Sequence, residues 1–129
     1  MEIKQKKVLI IDDSTIARMG VKKLLVDCNF IIEEGANGLD AINKLETFKP
    51  DLLIMDYLMP EMNGMLALKI IRGKGNNIPV IIISANQQDA TKLKFKEFNI
   101  VGMIKKHPDK SELMSFIESV FQNDLGDNL

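Results

Sequence analysis

Leu52-Leu53-Ile54-Met55-Asp56, set between Pro50 and the loop Pro60-Glu61-Met62-Asn63-Gly64, decides the fold. An apolar run with no polar alternation reads as a strand buried on both faces, as in parallel sheets covered by helices. The run stops on a carboxylate. Pro50 ends the segment before it, where Leu39, Ile42 and Leu45 recur at helical spacing after the turn signal Asn37-Gly38. Further upstream, Phe30–Glu33 reads as a short strand. Ile16, Met19, Val21, Leu24 and Leu25 read as a helix with Ser14 at its N-cap. Val8–Ile11 is a first buried strand, cut off by Asp12-Asp13.

Downstream of the loop the pattern repeats. Leu66–Arg72 is helical and is broken by Gly73-Lys74-Gly75-Asn76-Asn77, and Pro79–Ser84 is a fourth strand. A lysine-rich helix follows over about Gln87–Phe98, then a fifth strand over Ile100–Ile104. Asp109 caps a last helix, with Glu112 at capping-box spacing and Leu113, Phe116, Ile117 and Val120 as its apolar face. Strands alternating with helices imply βαβ units, and right-handed crossovers favour a doubly wound open α/β sheet of five parallel strands with five helices. One domain accounts for residues 1–129, with its core over about 7–121 and a polar tail over 122–129.

Composition narrows the function. Hydrophobic residues at 46% and charged ones at 27% suit a globular domain, and a formal net charge of −1 gives no reason to expect nucleic-acid binding. The apolar runs are far shorter than the roughly 20 residues of a membrane span. Met1–Lys7 is charged and leads straight into a strand, without a signal-peptide segment. The single cysteine, Cys28, excludes an internal disulfide and points to the reducing cytoplasm. It reads as a small buried hydrophobe rather than a reactive thiol.

In doubly wound sheets, ligands bind beyond the carboxyl ends of the strands at the topological switch point. Here those ends carry Asp12-Asp13, Asp56, Ser84 and Lys105-Lys106. Neighbouring carboxylates repel unless a cation sits among them, and a hard Mg²⁺ (or Mn²⁺) accepts carboxylate, water and phosphate oxygens together. A lysine and a hydroxyl beside such a metal suit phosphoryl transfer, which needs positioning and charge neutralisation above all.

On these residues the chain resembles the receiver domain of bacterial two-component response regulators, of the stand-alone chemotaxis-protein type. Asp56-Tyr57-Leu58-Met59-Pro60-Glu61-Met62-Asn63-Gly64 matches that family's D-x-x-M-P-x-M-x-G, and Ser84-Ala85 matches its S/T-A pair. The intervals between Asp13, Asp56, Ser84 and Lys106 agree as well. The resemblance implies the flavodoxin-like strand order 2-1-3-4-5. It implies Asp56 as phosphoacceptor, with Mg²⁺ held by Asp12, Asp13, Asp56 and the backbone carbonyl of Leu58. Ser84 is then the hydroxyl donor to the phosphoryl group and Lys106 its ammonium partner. Lys106 rather than Lys105 is selected by the interval from Ser84 and the step from Met103. The implied donor is a histidine kinase or phosphotransfer protein. The implied output is a downstream protein met through the helix 4–strand 5–helix 5 face, with no nucleic acid or membrane, by a monomer or weak dimer. No enzyme activity beyond self-phosphorylation and self-dephosphorylation is implied.

Two positions depart from the family. His107 stands where proline usually follows the lysine; a cis bond before a non-proline residue costs about 2.5–4 kcal/mol, so the expectation is a trans Lys106–His107 bond. Met103 occupies the strand-five switch position usually held by an aromatic ring, which puts ring-swinging signalling in doubt. His107, with no Cys or His companions, reads as a loop residue. Lys92, Lys94 and Lys96 read as a solvated face, the rival being that Lys92, Lys96, Lys105 and Lys110 favour an acidic partner. Leu58 cannot orient an attacking water whereas Asn86 could, so the phosphoryl group is expected to outlast that of a Leu58→Asn variant. Two other functions stay open: a receiver-like interaction module without phosphorylation, and a phosphohydrolase with an aspartyl nucleophile.

Overall fold

Wherever the sequence runs apolar without alternation, a strand forms with both faces covered. The computed structural model describes residues 5–86, 88–89 and 95–125. Its strands are β1 (Lys7–Ile11), β2 (Ile31–Gly35), β3 (Leu52–Asp56), β4 (Val80–Ser84) and β5 (Ile100–Lys105). They form one parallel sheet in the order β2-β1-β3-β4-β5. β1, β3 and β4 are central. Their successive side chains point to opposite faces and are nearly all buried.

The helices are α1 (Thr15–Leu24), α2 (Gly38–Thr47), α3 (Gly64–Gly73), α4 (Phe95–Phe98) and α5 (Lys110–Leu125). Among the described residues, four of these have ten residues or more. The expected fourth helix is described only over Phe95–Phe98; Gln87, Lys92 and Lys94 lie outside the described residues. One core joins Leu9, Ile11, Leu53 and Met55 to Ala41 and Leu45 of α2 and Leu68 and Ile71 of α3. The other joins Val8, Ile10, Ile54 and Ile83 to Val21 of α1 and Leu113 and Ile117 of α5.

The apolar stripe expected on α1 splits in two. Val21 and Leu25 are buried, but Ile16 is 82% and Met19 50% exposed. At about 100° per residue these two lie on the side of the helix away from Val21 and Leu25, so helical spacing alone could not tell core from surface. Leu39 is likewise exposed, and Asn37-Gly38 is more than a turn. The Asn37 side chain caps α2 by accepting from the Asp40 N–H at 2.8 Å.

Candidate functional site

The strand order reverses between β1 and β3, so the crevice beyond their carboxyl ends is the switch point of the sheet. Asp12 follows β1, and its backbone is held from two sides. Its N–H donates to the Gly35 carbonyl at 3.1 Å, and its carbonyl accepts from the Arg18 guanidinium at 2.5 Å. Its Oδ1 accepts from the Ser14 N–H at 2.9 Å, leaving Oδ2 for the crevice. Asp56 ends β3, and Asp12 and Asp56 are both buried, at 5% and 4% exposure. Asp13 is exposed.

Lys106 reaches between the two buried acids. Its ammonium lies 3.3 Å from Asp12 Oδ2 and 3.2 Å from Asp56 Oδ2. Lys105 is exposed at the strand end, as the opposite faces of neighbouring strand residues require. Carboxylate oxygens of Asp12, Asp13 and Asp56 all lie within 4.8 Å of one another. Burial, then the neighbouring Asp12 charge, push the Asp56 carboxyl above its ordinary value, against the pull of Lys106 and of the Leu58 N–H. Burial pulls the Lys106 ammonium down, but the charges and hydrogen bonds of Asp56 and Asp12 together outweigh it and leave the net shift upward. Among the described residues, three carboxylates face one ammonium and carry surplus negative charge, the condition a hard divalent cation relieves.

The Lys106–His107 peptide bond is cis, which corrects the expectation of a trans bond. That expectation weighed only the isolated cost of the bond and left out the surroundings. These tie the Lys106 N–H to the Ser84 carbonyl at 2.9 Å and its side chain to two acids. His107 itself is exposed. Cys28 is half-buried, its Sγ 3.7 Å from the sulfur of Met114, and burial raises its thiol pKa.

The loop after Asp56 is shaped by its methionines and glycine. Met59 is buried, and Met62 lies where Gly38 leaves room, its sulfur 2.5 Å from the place a Cβ on Gly38 would take. A Cβ on Gly64 would come within 3.0 Å of the Tyr57 Cα. The Gly64 N–H donates to the Tyr57 carbonyl at 2.6 Å, so the chain folds back directly after Asp56. Asn63 then starts α3 by accepting from the Leu66 N–H at 3.0 Å. Leu58 stands at the mouth, 70% exposed. Methionines and glycine thus shape the loop that follows Asp56.

Ser84 ends β4 almost wholly buried. Its hydroxyl lies 2.5 Å from Asp89 Oδ2 and 3.0 Å from the Asn86 carbonyl, and its oxygen accepts from the Asn86 N–H at 3.2 Å. Met103 is half-buried on β5, against the core of the α2–α3 face. Sequence reasoning missed Arg18 and Asp89. Arg18 sits on a helix rich in basic residues and carries no motif, and Asp89 falls inside a segment read as a lysine-rich surface helix.

Comparison with known proteins agrees with this geometry. Residues 8–118 match the model of the response regulator receiver domain. The chemotaxis protein CheY of Listeria monocytogenes is 39% identical over 98 residues, covering 71% of this chain and 82% of that protein. CheY of Thermotoga maritima is 40% identical over 86 residues, covering 66% of this chain and 72% of that protein. The signal receiver domain of an HD domain-containing protein from Pseudomonas fluorescens superposes with a TM-score of 0.84 at 17% identity, covering 94% of this chain and 98% of that one. That structure shows the shared fold. With its strand order, its acid cluster and a family match across most of its length, this chain belongs to the response regulator receiver domains of two-component signalling.

Proposed function

We propose that Asp56 accepts a phosphoryl group from a histidine kinase or phosphotransfer protein and that the chain signals onward by protein contact. The observation that carries this reading is the gathering of Asp12, Asp13 and Asp56 around one point, with the Lys106 ammonium against the two buried acids. Asp12, Asp13 and Asp56 would hold Mg²⁺ (or Mn²⁺), with the Leu58 carbonyl as a further ligand. The metal, when bound, neutralises charge between acceptor and donor oxygens. Asp56 Oδ attacks phosphorus, the donor's bond to phosphorus breaks, and an acyl phosphate forms. Lys106 then exchanges the carboxylate for a phosphoryl oxygen, and Ser84 donates a hydrogen bond to another.

The protein works here as a switch rather than an enzyme with turnover. Its output surface would be the α4–β5–α5 face, where Met103 is half-buried and Lys105 and Lys110 are exposed. Among the described residues no helix is long and apolar enough to cross a membrane, and a cytoplasmic partner fits the reading. Exposed Leu58 offers no group to orient water, so loss of phosphate should be several-fold slower than in Leu58→Asn.

Intact-mass measurement after incubation with acetyl phosphate and Mg²⁺ tests the reading. Wild type should gain one phosphoryl group, and Asp56→Asn or omission of Mg²⁺ should abolish the gain. A gain that survives Asp56→Asn would place the acceptor elsewhere.

A further inference from the structure

Asp89 is a buried acid that the phosphoryl-transfer scheme does not use, and its position relative to Ser84 gives it a task. It is 8% exposed, and its Oδ2 is 2.5 Å from the Ser84 hydroxyl. Ser84 has one O–H to donate, and two acceptors lie within reach, the Asp89 carboxylate and the Asn86 carbonyl at 3.0 Å. The carboxylate is closer and is the stronger acceptor, because charge-assisted bonds are shorter and roughly twice as strong as neutral ones. The Asn86 N–H meanwhile occupies a lone pair of the same oxygen at 3.2 Å. A turn from the Asp89 N–H to the Asn86 carbonyl at 3.1 Å fixes the acid's backbone beneath the hydroxyl. Asp89 also lies close enough to Tyr57, the residue after Asp56, for its charge to add to burial in raising the phenol pKa.

From this geometry we infer that Asp89 is a positioning residue that holds the Ser84 hydroxyl away from the phosphoryl site, and that phosphorylation of Asp56 is slowed because Ser84 must exchange Asp89 for a phosphoryl oxygen. The inference rests on Asp56 as the acceptor. It follows from the count of protons. One hydroxyl hydrogen cannot serve Asp89 and a phosphoryl oxygen together, so the carboxylate competes with the incoming group. The exchange strands a buried carboxylate without its donor, a costly state that the β4 loop relieves by moving Asp89 to water or to a new donor. Asp89 therefore both resists phosphorylation and converts it into displacement of the loop.

The test compares initial rates of Asp56 modification by acetyl phosphate with Mg²⁺ in wild type, Asp89→Ala, Ser84→Ala and the double variant. Asp89→Ala should react faster than wild type by about three- to tenfold, the range expected when a charged acceptor stops competing for one hydroxyl. In the Ser84→Ala background the same change should leave the rate unaltered, since no hydroxyl remains to release. A purely structural role would change both backgrounds alike, and that result overturns the inference, as does an equal or slower rate for Asp89→Ala beside wild-type Ser84. Asp89→Asn keeps the shape and a neutral acceptor. If the alanine variant fails to fold, the asparagine variant carries the test, a smaller acceleration supporting the inference and none rejecting it. Wild type that takes no phosphoryl group on Asp56 defeats the receiver reading itself, and the inference falls with it.

Discussion

At the sheet edge where β4 and β5 begin, the Arg72 guanidinium donates to the backbone carbonyls of Phe98, Ile78 and Asn76 at 2.7, 2.8 and 2.9 Å, and to that of Asn99 at 3.4 Å. At the opposite edge, where β1 and β3 end, the buried Asp12 and Asp56 share the Lys106 ammonium. Arg72 meets neutral dipoles that would otherwise be unpaired carbonyls at the ends of elements, so charge and backbone satisfy each other. The acids meet each other, and among the described residues their one cation is too little. A charge that the fold solvates well contributes stability. A charge that the fold leaves under-solvated is poised to take a cation or an electrophile, at some cost to stability.

Removing Arg72 should show the largest effect. Arg72→Ala leaves several carbonyls without their donor, and a loss of about 2–4 kcal/mol in urea unfolding is expected. Arg72→Lys keeps the charge but not the planar fork, and should recover less than half of that loss. A loss below about 0.5 kcal/mol for the alanine variant would erase the contrast between the two edges.

Arg72 also marks where sequence reading stops. The sheet was legible because Val8–Ile11, Leu52–Met55 and Val80–Ile83 are continuous apolar runs, and burial on both faces follows from that pattern alone. The acids at the strand ends were legible because a doubly wound sheet gathers its ligands there. Arg72 and Arg18 were not, since an arginine that donates to backbone carbonyls looks in sequence like one that faces water. The exposure of Ile16 and Met19 escaped for a related reason: apolar residues occur on both sides of α1. The cis bond at Lys106–His107 was misjudged because local cost carried the expectation and tertiary surroundings could not.

Lys106→Ala should come second. It leaves Asp12 and Asp56 facing each other without their ammonium, and about 1–2 kcal/mol should be lost in chelated buffer. Millimolar Mg²⁺ should restore most of that loss if the acids hold a divalent cation. A loss that Mg²⁺ does not touch would place the cost in packing of the lysine stem.

Asp56→Asn should move the other way and raise the melting temperature by a few degrees at neutral pH without metal. The sign follows from the raised carboxyl of Asp56. Between the ordinary carboxylate value and the raised one, the native state binds more protons than the unfolded chain, so stability falls as pH rises through that interval. The full penalty stands above it, and below the ordinary value there is none. The advantage of Asp56→Asn should accordingly shrink as the pH falls through the acidic range. Lys106 keeps its contact with Asp12 in this variant, so the ammonium is not stranded. An advantage independent of pH would mean that ionisation of Asp56 is not its source.

The smallest expected effect supplies a control away from the acidic edge. Lys49 follows α2 with φ of 54°, in the left-handed region where a side chain is strained and glycine is not. Its neighbour Phe48 accepts from the Lys7 ammonium at 3.1 Å, so the segment belongs to the edge where the strands begin, far along β3 from Asp56. Lys49→Gly should add about 0.5 kcal/mol, the relief of the left-handed conformation less the entropy glycine brings to the unfolded chain. Because no charge at the site takes part, that gain should be the same with and without Mg²⁺ and flat with pH, whereas the Lys106 and Asp56 variants should respond to one or the other. If Lys49→Gly showed the same metal and pH dependence, those responses would belong to the molecule as a whole rather than to its acidic edge.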